Sequence, residues 1–366
     1  MKAQDFSTFN FQFSTKYLPI VFLVALSLAM CGCEEAGEPL ANGTESRSSD
    51  TGAPLGVSPL VSDDSGTAAS SAMTRVATTP LATTTNIGFY VKIPVVTPGS
   101  TTLTYEEKGN RPGGYVTGKN WWAPARTIWI SNRNSVMTVY APYDAAQPEN
   151  RMTLAAALPK SDGSNDILAG TMNVNSLEVS KPGGVSVTLS HLYTCLRFSF
   201  TKNANFDTYY GSNKYVVKIT KLELTGADMY ATADYDPYTK VYSSASARAD
   251  VSLAVSPAVT VPTAGNVVAG TAPAVIHTLL IPMRQAFTAD ATLKITVNST
   301  QGTETAVKTL SVKIPKETFT TSRPFAPGKQ YNFNIKVSPT QEMEITGVQI
   351  ADWETGATIT GDMLVD

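Results

Sequence analysis

The chain is poor in the side chains that catalyse reactions or bind metal ions. Its 366 residues include three cysteines and two histidines, and only 16% of them are charged. It has no H-E-x-x-H motif, glycine-rich phosphate loop or C-x-x-C pair, so the sequence offers no catalytic site of those kinds. The formal net charge of −2 gives no electrostatic reason to expect nucleic acid as a partner. We therefore expect a protein that is not an enzyme and that has no metal site or cofactor.

The two histidines indicate packing rather than chemistry. His191 and Cys195 lie four residues apart, which suits a ligand pair only on a helix, whereas the surrounding sequence alternates like a strand. We expect His191 to be buried and hydrogen-bonded, and we interpret His277, at the start of an apolar strand, in the same way. Asp234 and Asp236 have a calcium-like spacing but lack the rest of a loop motif, which favours a turn.

The tryptophans raise the question of a sugar-binding surface. Trp121 and Trp122 could stack on a sugar ring, but adjacent residues of a strand point to opposite faces, so at most one of them can face solvent. We expect the other to be packed in the core. Trp129 and Trp353 lie in apolar strands and are also predicted to be core residues.

An apolar run near the start, Leu18–Glu35, has the length of a secretory signal and is too short to span a bilayer. It ends in Met30-Cys31-Gly32-Cys33, which resembles a bacterial lipobox, in which a cysteine thiol is acylated. Cys33 is the predicted palmitate-bearing residue, and Cys31 is the alternative. Glu34-Glu35 resembles the surface-export signal of Bacteroidetes lipoproteins. A plain secreted protein that loses both cysteines with its signal remains the other possibility.

The segment after the signal is rich in Ser, Gly, Ala, Pro, Thr and acidic residues from Ala36 to Met73. Such a composition cannot bury enough apolar surface to offset the entropy of ordering the chain. Residues 1–33 are therefore interpreted as a lipoprotein signal peptide, and residues 34–75 as a flexible tether or propeptide. One short strand is predicted within the tether, at Leu55–Val61.

From Asn86 onward the apolar residues alternate with period two, which predicts strands. Helical periodicity is absent apart from a possible turn near Met152–Leu158. Many short strands with turn signals and no intervening helices predict an all-β fold of antiparallel sandwiches. The predicted strands are Ile87–Ile93, Thr127–Ile130, Val136–Tyr140, Val185–Leu189, Leu196–Phe200, Tyr215–Leu224, Val251–Val255, His277–Ile281, Ala291–Val297, Ala306–Ile314, Gln330–Val337 and Met343–Ile350.

A shift of parity within residues 185–200 predicts a boundary between two domains. Apolar residues first occupy odd positions, up to Leu189, and then even positions from Leu196. A slip of one residue flips the buried face, so it requires a bulge or a passage into another sheet. We place this crossing near Ser190–Tyr193, between sandwiches at residues 76–190 and 191–366.

Several segments, in the same order along the chain, resemble those of the Bacteroidetes fimbrillins, the subunits of type V pili. The resemblance covers residues 74–366. Its segments are Thr74–Thr79, Asn86–Tyr90, Thr127–Ile130, Val139–Pro142, Asp166–Ala169, His191–Phe198, Pro327–Phe333 and Ile345–Trp353 followed by Gly356.

The resemblance implies two tandem transthyretin-like β-sandwiches and a lipoprotein precursor that reaches the surface of the outer membrane. It also implies that an arginine-specific protease trims the N-terminus and that subunits then join by strand exchange into an adhesive fimbria. The expected partners are therefore other fimbrial subunits, that protease, and the membrane through an N-terminal lipid. The position in the pilus, whether stalk, tip or anchor, stays open. The alternative is a monomeric surface lipoprotein that binds a glycan or a peptide.

Arg75 is the predicted maturation site because it lies in an accessible stretch before the first strongly predicted strand. Cleavage at Arg47, the alternative, would leave Leu55–Val61 attached. Removal of that strand would leave an edge that another chain can complete. The predicted donor is the C-terminal tail, in which Ala357, Ile359, Met363 and Val365 share one parity. The alternative is that this tail completes its own second domain.

Overall fold

The computed structural model describes residues 52–63, 77–97, 103–161, 163–203, 215–243, 249–262, 273–338 and 343–352. Several residues singled out in the sequence lie outside these ranges: Cys31, Cys33, Arg47, Arg75, Trp353, Ala357, Ile359, Met363 and Val365.

Strands are the dominant secondary structure of the described residues, with very little helix, which confirms the predicted all-β class. The first half contains β1 Ala53–Pro54, β2 Val57–Asp63, β3 Ala77–Pro80, β4 Ile87–Val96, β5 Leu103–Val116, β6 Trp121–Pro124, β7 Trp129–Ile130, β8 Ser135–Ala141, β9 Met152–Ala155, β10 Leu168–Val174 and β11 Val185–His191. The second half contains β12 Thr194–Lys202, β13 Tyr215–Thr225, β14 Thr232–Asp236, β15 Val241–Ser243, β16 Val251–Thr260, β17 Ala274–Leu280, β18 Ala291–Gln301, β19 Glu304–Ile314, β20 Lys329–Val337 and β21 Met343–Asp352. One α-helical turn, α1 Ser176–Val179, and a 3₁₀ turn, Lys316–Thr318, accompany them.

Eight strands of the first half form one sheet in the order β11-β10-β8-β4-β5-β6-β2-β3. A further pairing between β2 and β11 joins the two sides of this order, so the strands enclose a core. Phe89, Val139 and Leu189 are fully buried in that core. The strand β2 thus completes the enclosure of the first apolar core.

Two four-stranded sheets form the second half, in the orders β17-β12-β20-β21 and β16-β13-β18-β19. Their facing residues make the largest apolar cluster, which includes the fully buried Phe198, Phe333 and Ile295. The alternation of buried and half-buried residues along β18 shows why the sequence pattern was informative here, because one face of that strand meets the core.

A third apolar cluster, rich in tyrosine, lies between the first sheet and β17. It includes Tyr90 and Tyr140, whose ring centroids are 5.7 Å apart, together with Leu279 of β17. The small sheet β15-β14-β9 contributes residues to the same cluster. The hydroxyl of Tyr90 donates to the carbonyl oxygen of Pro148, and that of Tyr140 donates to the side-chain oxygen of Asn110, which satisfies these polar groups inside the cluster.

The chain passes from one sheet to another where the parity shift predicted it. The strand β11 pairs with β10 and β2, and after Leu192 and Tyr193 the strand β12 pairs with β17 and β20. The division into domains at residues 76–190 and 191–366 stays a prediction, since the tyrosine cluster connects the two halves. The transthyretin-like connectivity also stays a prediction.

Some details of the sequence predictions were wrong. The sheets are not wholly antiparallel, because β2 pairs in parallel with β11 and β12 pairs in parallel with β20. The segment Met152–Leu158 begins with the strand β9, not a helical turn, because Met152–Ala155 pairs with β14. Trp129 is 55% exposed and not in the core, because it belongs to the two-residue strand β7, which pairs only with β1.

Candidate assembly site

The strand β2 lies between partners on both of its edges. On one side it pairs in parallel with β11, from Val57 opposite Val185 to Val61 opposite Leu189. On the other side it pairs antiparallel with β6 at Trp122, and its last four residues pair with β3. The strand predicted at Leu55–Val61 is therefore present two residues further along, at Val57–Asp63, and it is an integral part of the first sheet.

The odd-numbered side chains of this segment fill the first core. Leu55, Val57 and Val61 have exposed fractions of 3%, 0% and 6%. Full burial of one such side chain stabilises a fold by roughly 1.5–3 kcal/mol, so the three together contribute roughly 5–9 kcal/mol. The sequence alternation identified the correct three residues and the correct face.

The backbone just before β2 is held by close approaches that require glycine. A Cβ on Gly56 would lie 2.8 Å from the ring of Trp121, so no larger residue fits there without a shift. Gly184, with φ of +73°, packs against the same backbone and the same ring. Gly56 accepts a hydrogen bond of 2.9 Å from the amide of Val185, which starts the parallel ladder. The ring of Trp121 thus packs next to Gly56, at the point where the chain enters β2.

Polar contacts fix the opposite face of β2. The hydroxyl of Ser58 donates to the carbonyl oxygen of Gly183 at 2.5 Å, and that of Ser62 donates to the carbonyl oxygen of Leu189 at 3.2 Å. The amide of Leu81 donates to the carbonyl oxygen of Pro59 at 3.2 Å. These hydrogen bonds join β2 to segments on both sides and set its register.

The loss of β2 would free one edge of β11 along most of its length. The other neighbour of β11, β10, pairs with it only at Ser190 and His191. The backbone groups of Val185–Leu189 that β2 now engages would have no ladder partner within the described chain. Unpaired edges of this kind, next to an apolar slot, are templates for another strand.

The remaining candidates from the sequence do not converge on a reactive centre. The described residues contain no group of three or more His, Cys, Asp or Glu side chains that could hold a metal ion. His191 is 2% exposed, and its Nδ1 lies 2.9 Å from Asp166, as expected of a buried, hydrogen-bonded histidine. Burial raises the pKa of the Cys195 thiol to about 12, so this cysteine is kept in its unreactive form.

His277 differs from the prediction. It is half-buried, and its Nε2 has no hydrogen-bond partner in the part of the chain that the structure describes. Burial, and then the charge of Arg197 directly opposite on β12, lower its pKa to about 4. The pairing of the two strands thus places a cation opposite this histidine.

The aspartates and the paired tryptophans behave largely as predicted. Asp236 ends β14 and accepts hydrogen bonds from the amides of Tyr238 and Thr239, which forms a turn and not a cation site. Trp122 is 4% exposed, whereas Trp121 is only half-buried. The sequence missed the role of Trp121 beside the glycines, and no local pattern signals it, because the contact joins distant segments.

The amino-acid sequence matches a family model over residues 74–353, which is most of the chain, and that model describes fimbrillin-like proteins. The chain belongs to the fimbrillin-like family. This confirms the resemblance on which the sequence interpretation depended. A comparison with curated proteins finds no match.

Three solved structures of bacterial fimbrial proteins are similar to this chain. A fimbrial protein from Bacteroides vulgatus has 13% sequence identity and a TM-score of 0.51, with 82% of this chain and 99% of that chain covered. The tip fimbrial protein of Porphyromonas gingivalis, with a C-terminal truncation, has 11% identity, a TM-score of 0.39 and coverage of 82% and 100%. A fimbrial assembly protein from Parabacteroides distasonis has 14% identity, a TM-score of 0.38 and coverage of 82% and 99%. At these identities the first similarity shows the fold alone.

No helix among the described residues is both long and apolar enough to cross a membrane.

Proposed function

We propose that this fimbrillin-like chain is a structural or accessory subunit of an adhesive surface fimbria, and that it is made as a lipoprotein precursor, trimmed and assembled by donor-strand exchange. The position of β2 supports the exchange step. This strand fills a core, and a long link, residues 64–76, joins it to the next strand. Loss of this strand would leave a free edge and an apolar slot together.

The link between β2 and β3 makes Arg75 the better cleavage site. Residues 64–76 connect these strands, and Arg75 is within them. Cleavage there would cut the covalent connection, so that β2 would be held only by its hydrogen bonds and by the burial of its side chains. Cleavage at Arg47 would leave β2 joined to the rest of the chain and would open no slot.

The incoming strand must present apolar residues of one parity. The slot is now filled by Leu55, Val57 and Val61. The tail offers Ala357 and Ile359, then Met363 and Val365 beyond Gly361, all at odd positions. Backbone hydrogen bonds to the freed edge of β11 would give affinity, and these side chains would give register.

Arginine-to-lysine variants test the cleavage step, since lysine keeps the charge but is not a substrate for an arginine-specific protease. We expect Arg75→Lys to abolish the boiling-resistant ladder of oligomers that proteolysis generates, whereas Arg47→Lys should leave it intact. The mature N-terminus should be Val76. A mature N-terminus at Ser48 in assembled protein would show that Arg75 is not the site.

Two matched pairs of substitutions test the donor. Ile359→Asp with Val365→Asp should prevent the ladder, because these residues have the parity that fills the slot. Thr358→Asp with Thr360→Asp, which adds the same charges at the other parity, should not. If both double variants polymerise like the parent chain, the tail is not the donor. A variant that lacks Ala357–Asp366 should then polymerise as well.

A further inference from the structure

Two arginines line a surface cavity away from β2. Arg111 of β5 and Arg126, just after β6, border this cavity of about 330 Å³ together with Pro112 and Ala125. Arg111 is half-buried and Arg126 is exposed. The cavity is therefore open to solvent and bordered by two cationic residues and two apolar ones.

The register of β5 and β6 brings the segments that carry the two arginines together. Gly113 pairs with Pro124, and the amide of Ala125 donates to the carbonyl oxygen of Pro112 at 2.8 Å, which continues the ladder by one residue. Arg111 and Arg126 are the next residues along the two segments, and Arg126 lies in a bend just beyond the end of β6. Two like charges that border one small cavity repel each other.

Neither guanidinium has a carboxylate partner among the described residues. Some other cations do have one: Lys92 lies 3.1 Å from Glu107, and Arg151 lies 3.2 Å from Asp234. No ion pair or hydrogen bond of the Arg111 or Arg126 side chain occurs within the described residues. The described part of the chain therefore supplies no counter-charge to the repulsion between the two arginines.

The backbone that carries Arg111 is rigidly positioned. A bulge precedes it between β4 and β5, where Asn110 adopts a φ of +44°. Asn110 donates from its side-chain amide to the carbonyl oxygen of Gln147 at 2.6 Å and accepts from the hydroxyl of Tyr140 at 2.5 Å. Pro112 follows immediately and restricts the chain further. The position of this arginine is thus organised before any ligand arrives.

We propose that Arg111 and Arg126 bind the carboxylate of a small acidic sugar. The guanidinium fork matches a carboxylate, and one anion between two arginines removes their repulsion. The apolar surface of Pro112 and Ala125 suits the C–H face of a sugar ring. The cavity is at the small end of ligand pockets, so it has room for about one monosaccharide. This site is independent of the proposed strand exchange, and its test needs no assembled fimbria.

The experiment is a comparison of ligands by thermal unfolding and calorimetric titration of the full-length protein at constant ionic strength. The probes are N-acetylneuraminic acid, neutral N-acetylglucosamine, acetate, inorganic phosphate and sodium chloride. We expect the acidic sugar to raise the unfolding temperature and the other probes to match sodium chloride. If acetate or phosphate has an equal effect, the site binds anions without a sugar, and the assignment fails. If no probe exceeds sodium chloride, the proposal is overturned.

Substitution of the exposed arginine locates the effect. Arg126→Gln should weaken binding of the acidic sugar about tenfold or more, because one charge-assisted hydrogen-bonding partner is lost. At low salt and without ligand, the same variant should unfold at a higher temperature than the parent, because the repulsion is removed. Arg133→Gln changes an exposed arginine elsewhere and should do neither.

The result with Arg126→Gln tests the proposal even if Arg111→Gln, which changes a half-buried residue, does not fold. An Arg126→Gln protein that binds the acidic sugar as tightly as the parent would overturn the proposal. So would an unliganded variant that unfolds at a lower temperature, because the arginine would then make a stabilising contact within the protein.

Discussion

Substitution of Val57 by alanine should change the stability of the precursor but not that of the assembled subunit. Val57 is fully buried at the point where β2 meets both β11 and Trp122 of β6. The change removes two methyl groups, which contribute about 0.8 kcal/mol each through burial. A small cavity adds to this loss, so we expect the free energy of unfolding of the precursor to fall by about 2 kcal/mol.

The same substitution should have no effect on the stability of the trimmed and assembled form. In the proposed mechanism β2 has left with the propeptide, and residue 57 is no longer part of the fold. The strand should also leave faster after cleavage. A loss of about 2 kcal/mol from its contacts corresponds to a release rate up to about 30-fold higher, since about 1.4 kcal/mol is a factor of ten.

A matched substitution on the neighbouring strand serves as the control. Val187 of β11 is 3% exposed, lies opposite Pro59 of β2, and stays in the chain after cleavage at Arg75. Val187→Ala should therefore lower the stability of both the precursor and the assembled form. The assay is urea unfolding followed by tryptophan fluorescence, with Arg75→Lys protein as the uncleaved reference.

Two results would refute this reasoning. In the first, Val57→Ala lowers the stability of the assembled form as much as Val187→Ala does, which would mean that β2 stays bound after cleavage. In the second, Val57→Ala leaves the precursor unchanged, which would mean that the strand does not support the core. Release of the propeptide, measured by its separation on a sizing column over time, tests the kinetic part independently.

Three further predictions concern the lipid, the entry of β2 and the effect of pH. Cys33→Ala should abolish labelling by radioactive palmitate while Cys31→Ala retains it, and the reverse pattern would reassign the lipid. Gly56→Ala should lower the unfolding free energy of the precursor by about 1–3 kcal/mol, measured in urea, because the added Cβ meets the ring of Trp121 at 2.8 Å; unchanged stability would contradict this. Burial lowers the pKa of His277 to about 4, below its ordinary value of 6.5, so stability present above pH 6.5 is lost as the pH falls toward 4. His277→Gln should remove up to about 3 kcal/mol of the loss in unfolding free energy between pH 7 and pH 4. The measurement is the urea midpoint as a function of pH, and identical curves for both proteins would contradict the lowered pKa.

Strands with one face on a core were predictable because burial imposes period two. In β16, Val251, Leu253 and Val255 are buried and the residues between them are exposed, so the pattern is visible in the sequence. The parity shift before Leu196 likewise marked the passage between sheets, because a chain that changes sheets must change the face that it buries.

The strand β5 could not be found in this way. Its first half is exposed, and Glu106, Glu107 and Lys108 resemble a solvated loop in the sequence. Its second half contains Pro112 and Gly113, which usually end strands. Pairing with β4 along most of its length, and not its own pattern, makes this segment a strand. The proximity of Arg111 and Arg126 could not be predicted for the same reason, because which residues of two neighbouring segments lie close together depends on their register.

Trp129 shows the opposite error. An apolar neighbourhood, with Ile128 and Ile130 on either side, suggested a core position. Both isoleucines are indeed buried, at 5% and 0% exposure. In an extended segment the residue between two buried neighbours must point the other way, and only a second layer could cover it. The two-residue strand β7 has no such layer over Trp129 in the described structure, so the ring stays largely in solvent.

The sequence predicted the buried face of β2 but could not predict its pairing partner. Alternation revealed its buried face, but a parallel neighbour cannot be reached through a hairpin turn, so β11 had to lie far away in the chain. Val57 and Val185 are in fact 128 positions apart. No local pattern encodes such a partner. The same separation is consistent with the proposed replacement of β2, because its ladder with β11 involves no connecting loop. In the proposed exchange, a strand from another chain would take up this ladder in the same register, provided that its apolar residues repeat the spacing of Leu55, Val57 and Val61.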